Sequence, residues 1–195
     1  MSRIPTQPGR IPVVGVMGSG SEPHRELALP LGAWLARRGV HLLTGGGGGV
    51  MASVSEGFAR VGERRGLVLG VLPSDGQSAC PARGYPNLWV EIAILTHLPQ
   101  RGEAGAGTLS RNHINVLTAD IVIVLPGGPG TASEARLSVR YGRPVVAYAP
   151  DPGRLGEVGD GIPYRRDLRG VAEFVDRALA RLPPPAGRGS EPENR

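Results

Sequence analysis

Glu134 is the carboxylate whose surroundings point most directly to chemistry. It lies at the start of a helix-compatible stretch, Thr131 to Val139, that follows Pro126-Gly127-Gly128-Pro129-Gly130. Before that turn, Ala119 to Leu125 is apolar and β-branched and reads as a buried strand. Strand, glycine turn and helix in that order aim backbone N–H groups and the positive end of a helix dipole at an anion. Thr131 adds a hydroxyl at the helix mouth and Glu134 a carboxylate. Thr131 and Glu134 also fit a capping box, in which both side chains serve only free N–H groups. Two further glycine turns upstream favour a phosphate site: Gly18-Ser19-Gly20-Ser21, and Gly45 to Gly49.

The elements that must position these turns can be read in order. Ile11 to Met17 is a first strand, running into the Gly18 turn. Glu22 to Arg38 has Leu27, Leu31 and Leu35 at helical spacing and stops at Gly39, a natural helix end. Val40 to Leu43 is a second strand. Thr44 leads into Gly45-Gly46-Gly47-Gly48-Gly49, and Val50 to Val61 follows as a helix with Val54 and Phe58 on its apolar face. Five consecutive glycines are entropically costly, and loops inside a βα unit are short, so a close backbone approach explains them better than a linker. Gly66 to Leu72 is a third strand and Trp89 to Leu95 a fourth apolar run. Between them lies a long loop, Pro73 to Pro86, in which Asp75 and Arg83 could meet a ligand.

Gly102 to Thr108 reads as a flexible loop and Leu109 to Leu117 as a short helix. Val145 to Tyr148 is another strand, Asp151 to Tyr164 a Gly/Pro-rich loop, and Leu168 to Leu182 a closing amphipathic helix. The alternation predicts an α/β fold: one Rossmann-like domain, a parallel sheet with helices on both faces. Ligands of such sheets bind beyond the carboxyl ends of the strands, where all three glycine turns fall. The domain is expected over residues 11–182, with unstructured tails at 1–10 and 183–195.

Composition removes several classes. The net charge is +5 and all 22 basic residues are arginine, scattered without an aromatic-laced patch, so nucleic acid is not expected as a partner. Cys80 is the only cysteine, which rules out an intrachain disulfide and a cysteine-rich metal site; no metal is expected. His24, His41 and His97 have no ligand-like spacing and read as surface or satisfied histidines. His113 lies near the site but could simply face solvent on its helix, Glu56 with Ser53 reads as a helix-start feature, and Trp34 and Trp89 read as core residues, Trp89 alternatively lining an interface. No apolar run is long enough to span a bilayer, so no membrane is expected, and a cytoplasmic protein is the simplest reading. Gly18-Ser-Gly-Ser lacks the third glycine of a dinucleotide fingerprint, and no glycine run precedes the Lys-Ser/Thr of a P-loop.

PGGPGTASE, at 126–134, resembles the PGG-x-GT-x-x-E signature of the Lonely-Guy (LOG) phosphoribohydrolases of the lysine decarboxylase-like superfamily. TGGGGGVM, at 44–51, is similar to that group's second glycine turn, VMGSGS to its first, and Arg111 stands nine residues before Asp120 as the family's arginine does. The resemblance spans roughly Val13 to Ala180. LOG enzymes usually carry Arg-Lys where this chain has Arg111-Asn112. Arg111-Asn-His-Ile-Asn115 and the GPGT form of the loop look more like a sister branch, the molybdenum-cofactor carrier proteins.

The resemblance implies a phosphorylated, nucleotide-like ligand. In the LOG reading a nucleoside 5′-monophosphate is hydrolysed to base and ribose 5-phosphate, with no cofactor required. Glu134 would be catalytic, stabilising the cationic sugar, and Arg111 would steady phosphate or base. Gly18, Ser19, Gly45, Gly46, Gly47, Gly48, Gly127, Gly128, Gly130 and Thr131 would hold the phosphate. In the carrier reading the molybdenum cofactor is bound and not cleaved, with Asn112, His113 and Asn115 supplying neutral hydrogen bonds. Both branches imply a homodimer or homotetramer.

Overall fold

The structure is a computed structural model that describes residues 10–77, 81–158 and 161–182. Cys80, residues 1–9 and residues 183–195 lie outside the described residues, so the expectations for both tails rest there. Arg10, at the boundary, is fastened: its guanidinium donates to Asp120 Oδ1 at 3.1 Å, while Asp120 Oδ2 accepts the Val13 N–H at 2.8 Å.

Seven parallel strands form one sheet: β1 Val13–Met17, β2 His41–Thr44, β3 Val68–Leu72, β4 Ile92–Leu95, β5 Ile121–Val124, β6 Val145–Tyr148 and β7 Tyr164–Arg165. Their order is β4-β3-β2-β1-β5-β6-β7. The chain builds outward from β1 in one direction, then returns to the other side of β1 with β5. The strand order therefore reverses between β1 and β5, which pair in register Val14–Ile121 to Met17–Val124. This reversal opens a crevice at the carboxyl ends of the strands.

Five helices cover the sheet: α1 Arg25–Arg37, α2 Gly49–Ala59, α3 Asn112–Thr118, α4 Pro129–Arg140 and α5 Leu168–Ala180. Leu31 and Leu35 of α1, Val54 and Phe58 of α2, and Val171 and Val175 of α5 pack with Val14, Val16, Ile121 and Ile123 on one face. Ala132 and Ala135 of α4, with Ile114 of α3, pack against Val122, Val124 and Met17 on the other. Successive strand residues feed opposite cores, so the central strands are apolar throughout instead of alternating. Trp34 packs against the first core, as expected. Trp89 instead lies half-buried with the Arg60 guanidinium 5.5 Å above its ring.

Several elements depart from the sequence reading. Helix α4 starts at Pro129, not Thr131, because a proline at the first helical position loses no hydrogen bond and has its φ preset. Helix α3 begins at Asn112, three residues later than expected. Gly102–Ala106, expected as a loop, is a short 3-10 helix lying on α4. The last strand, β7, arises at the end of the expected loop 151–164 and is only two residues long. Glu56 is not at a helix start but in the second half of α2, paired with Arg25 at 2.8 Å and Arg60 at 2.9 Å.

Candidate functional site: three glycine turns and a buried carboxylate

The turns after β1, β2 and β5 meet at the crevice. Ser19 N–H donates to Pro126 O at 3.0 Å, and Val50 N–H, at the start of α2, donates to Ser19 O at 2.9 Å. Ser19 Oγ is spent within its own turn, accepting the Glu22 N–H at 2.9 Å. At the mouth of α4 a cleft of about 140 Å³ is lined by Gly127, Gly128, Pro129 and Ala132. Gly128 is the residue preceding α4, and no side chain caps that end. The capping box is therefore not formed: Thr131 and Glu134 both sit inside the helix, and its first N–H groups are left for the cleft.

Most of the glycines are explained by protein neighbours instead of a ligand. A Cβ on Gly127 would strike Thr131 Oγ1 and stand 2.8 Å from Ser19 N, and one on Gly18 would stand 2.9 Å from Val50 Cβ. A Cβ on Gly45 would collide with the Arg111 guanidinium, one on Gly46 with Leu72, and one on Gly47 would lie 2.8 Å from both Met51 and Tyr85. Gly49, at φ 58, lies against the Ser19 carbonyl, and Gly48 faces the Gly20 carbonyl. Gly130 lies beside Gly102. Gly128 alone among the turn glycines after β5 faces open space, with no atom within 4 Å of where a Cβ would stand.

Arg111 precedes α3 and is 5 % exposed. Its Nη1–H donates to Val71 O at 2.7 Å, at the end of β3, and its flat guanidinium rests on Gly45 with the Tyr85 ring 5.5 Å away. Glu134 is buried in the first half of α4. Its Oε1 accepts Asn115 Nδ2–H at 2.8 Å. Burial pushes its carboxyl above the ordinary carboxylate range, opposed by the charge of Arg111 and by the Asn115 hydrogen bond. Arg111 Nε, Asn115 Oδ1 and Ser133 Oγ are buried without a protein partner. Buried polar atoms of this kind usually serve a ligand or ordered water.

The structure thus brings Gly18, Ser19, Gly127 and Thr131 together where the β1 and β5 turns touch, with Gly128 beside them, while Gly45 lies against Arg111 and Asn115 holds Glu134, outside the lining of the cleft. Asn112 is turned elsewhere: its amide packs on Gly105 of the 3-10 segment, and its N–H donates to Ser110 Oγ at 3.2 Å. His113 is not solvent-facing. Its Nδ1 meets Tyr141 Oη at 2.7 Å, and its Nε2–H donates to Gly107 O at 3.1 Å, since a carbonyl can only accept. His41 is satisfied, accepting Leu67 N–H on Nδ1 at 3.0 Å. In the long loop, Asp75 Oδ1 accepts its neighbour Gln77 N–H at 3.0 Å and Arg83 is exposed. Tyr85 and Asn87 reach the glycine turn instead; nothing in their spacing announces it.

A parallel sheet with its order reversed at β1/β5, and glycine turns gathered at that reversal, makes a Rossmann-like domain, and the chain is one of the LOG-like superfamily. The chain belongs to the SLOG cluster4 family, which matches residues 11–162. An uncharacterized protein from Archaeoglobus fulgidus is 32 % identical over 139 residues, 70 % of this chain and 80 % of that one. The molybdenum cofactor binding protein from Rippkaea orientalis is 30 % identical with a TM-score of 0.69, covering 88 % of this chain and 99 % of that one. The molybdenum cofactor carrier protein from Chlamydomonas reinhardtii is 29 % identical with a TM-score of 0.67, over the same shares. No helix among the described residues is long and apolar enough to cross a membrane.

Proposed function

We propose that the chain binds a phosphate-bearing pterin of the molybdenum-cofactor kind and holds it intact, as a carrier. The phosphate takes the mouth of α4, against Gly128 and the free N–H groups that follow it. The enclosure of Glu134, buried with one oxygen held by Asn115, carries the choice of binding over cleavage. A carboxylate that stabilises a cationic sugar must be ionised and must face it. Glu134 is 8 % exposed and one oxygen is held by Asn115; burial raises its pKa, against the opposing charge of Arg111. The two similar structures named for binding or carrying this cofactor support a ligand kept whole. In this reading the cofactor is cargo.

The test is direct. Protein purified from cells that make the cofactor is assayed for molybdenum and, after oxidation, for pterin fluorescence; the same protein is incubated with AMP and the mixture chromatographed. Bound pterin and no free adenine is the expected result. Adenine released over many turnovers refutes the carrier reading.

One observation favours a second reading, LOG-type hydrolysis of a nucleoside 5′-monophosphate. Arg111 lies close enough to Glu134 for its charge to act on the carboxyl, and that pairing of cation and acid is what the hydrolysis calls for. In that case Glu134→Gln abolishes adenine release and leaves phosphate-ligand binding in place. Both readings include assembly into a homodimer or homotetramer, which sedimentation of the purified chain measures.

A further inference from the structure

We infer that Tyr85 is the specificity-determining residue of this site, the wall against which the planar ring of the ligand lies while its phosphate occupies the mouth of α4. The inference rests on the phosphate site proposed above. The cleft at Gly127 to Ala132 is about 140 Å³, well below the roughly 300–1,000 Å³ of pockets that enclose a whole small molecule. It has room for the phosphate end, and the inference lays the rest of the ligand along the rim.

The rim can be followed residue by residue. Gly127 abuts Ser19 N, and Ser19 bonds Pro126. A Cβ on Gly48 would stand 3.1 Å from the Gly20 carbonyl, which joins the first turn to the second. Beside Gly47 stands Tyr85, with Cε1 and Cζ at 2.8 and 3.0 Å from the position of a Cβ. The turns after β5, β1 and β2 therefore form one continuous edge, with the helix mouth at one end and an aromatic ring at the other. Such an edge offers a phosphate site at one end and an aromatic ring at the other.

Tyr85 is built to stay where it is. Two residues on, Asn87 clamps the glycine turn twice: its N–H donates to Gly46 O at 2.7 Å and its Nδ2–H to Gly47 O at 2.8 Å. The Tyr85 N–H donates to Ala82 O at 3.1 Å. The Arg111 guanidinium, itself pinned by Val71 O, supports the ring from 5.5 Å. The ring is half-buried, with Arg111 over it and its Cε1–Cζ edge beside Gly47. A fixed aromatic of this kind prefers planar, polarised heterocycles such as pterins and purines, because stacking is tolerant of ring identity but requires a π-face.

The experiment compares two probes, neopterin monophosphate and its ring-free counterpart glycerol 3-phosphate, by calorimetry on the wild type, Tyr85→Ala and Tyr85→Phe. The expected result is a loss of about tenfold or more in neopterin monophosphate affinity for Tyr85→Ala, less than about twofold change for glycerol 3-phosphate, and recovery in Tyr85→Phe. Circular dichroism and urea unfolding establish that the variants fold. Equal losses for both probes would mean that Tyr85 only props the glycine turn, and no loss for either would mean that the ring binds elsewhere; each overturns the inference. Failure of the wild type to bind either probe would instead overturn the phosphate site, and the inference with it.

Discussion

Gly127 and Gly128 are adjacent and of the same residue type, yet adding one methyl to each should have opposite consequences. At Gly127 the added carbon meets Thr131 Oγ1 and lies 2.8 Å from Ser19 N, a backbone atom held by its hydrogen bond to Pro126. Neither neighbour can swing away, so Gly127→Ala must shift the β1 turn or the first turn of α4. Overpacking of this kind costs roughly 1–3 kcal/mol. In a domain of this size each kcal/mol lowers the melting temperature by about 2–4 °C. At Gly128 the added carbon meets nothing within 4 Å, and the backbone (φ −94, ψ −158) is extended and open to any residue. The stability cost there is that of a poorer helix cap, of order 0.5–1 kcal/mol. The methyl does, however, project into the cleft where the phosphate is proposed to sit. Urea unfolding gives the two stabilities, and calorimetry with inorganic phosphate or AMP gives the two affinities. Gly127→Ala should lose stability, whereas Gly128→Ala should stay folded and lose at least tenfold in affinity. If Gly128→Ala binds as well as the wild type, the phosphate does not occupy the mouth of α4. If Gly127→Ala is as stable as the wild type, the close contact of the two turns is not what requires a glycine there.

The other predictions concern charge. Glu134 has a raised pKa in the fold, so the native state holds its proton more tightly than the unfolded chain; its contribution to stability is present below 4.5 and is lost as pH rises through the raised native value. Glu134→Gln should remove that slope, seen as a flatter urea midpoint from pH 4.5 to 8; an unchanged slope would assign it to another group. Glu56 behaves in the opposite sense: the Arg25 hydrogen bond, with the charges of Arg25 and Arg60, lowers its pKa, so its contribution is present above 4.5 and lost as pH falls through the lowered native value. Glu56→Gln should flatten the acid limb of the stability curve, and an unaltered acid midpoint would refute this. Arg111→Lys keeps the charge but not the flat fork that lies on Gly45 and reaches Val71 O, and should cost about 1–3 kcal/mol in urea unfolding along with weaker ligand binding; a stability equal to the wild type would mean that the planar seat is immaterial.

Elements with strong periodicity are legible from the sequence. The apolar, β-branched run at 119–125 reads as a strand buried on both faces, and Leu27, Leu31 and Leu35, in a stretch ending at Gly39, read as one face of a helix; both are found so. Weak local signals mislead. Thr131 and Glu134 also fit a capping box, a reading the other glycine turns disfavour and the start of α4 at Pro129 removes. Glu56 has the look of a helix-start residue, but α2 begins at Gly49, which puts it beside Arg25 of α1. Gly102–Ala106 has a flexible composition, but the α4 surface beneath it orders it.

The chain's own residues are sufficient to determine the α/β alternation, the three glycine turns at the strand ends and the position of Glu134 behind one of them, because hydrophobic period, turn chemistry and helix capacity act over a few neighbours. Only the tertiary structure decides what those glycines are for. Most of them accommodate Thr131, Arg111, Tyr85 and the Ser19 backbone, nearly all approaching from segments distant in sequence. It also decides that Asn115 holds Glu134 and that Tyr85 stands at the rim, since contacts across 19 residues, or between Arg111 and Tyr85, exist only once the sheet has stacked those segments together.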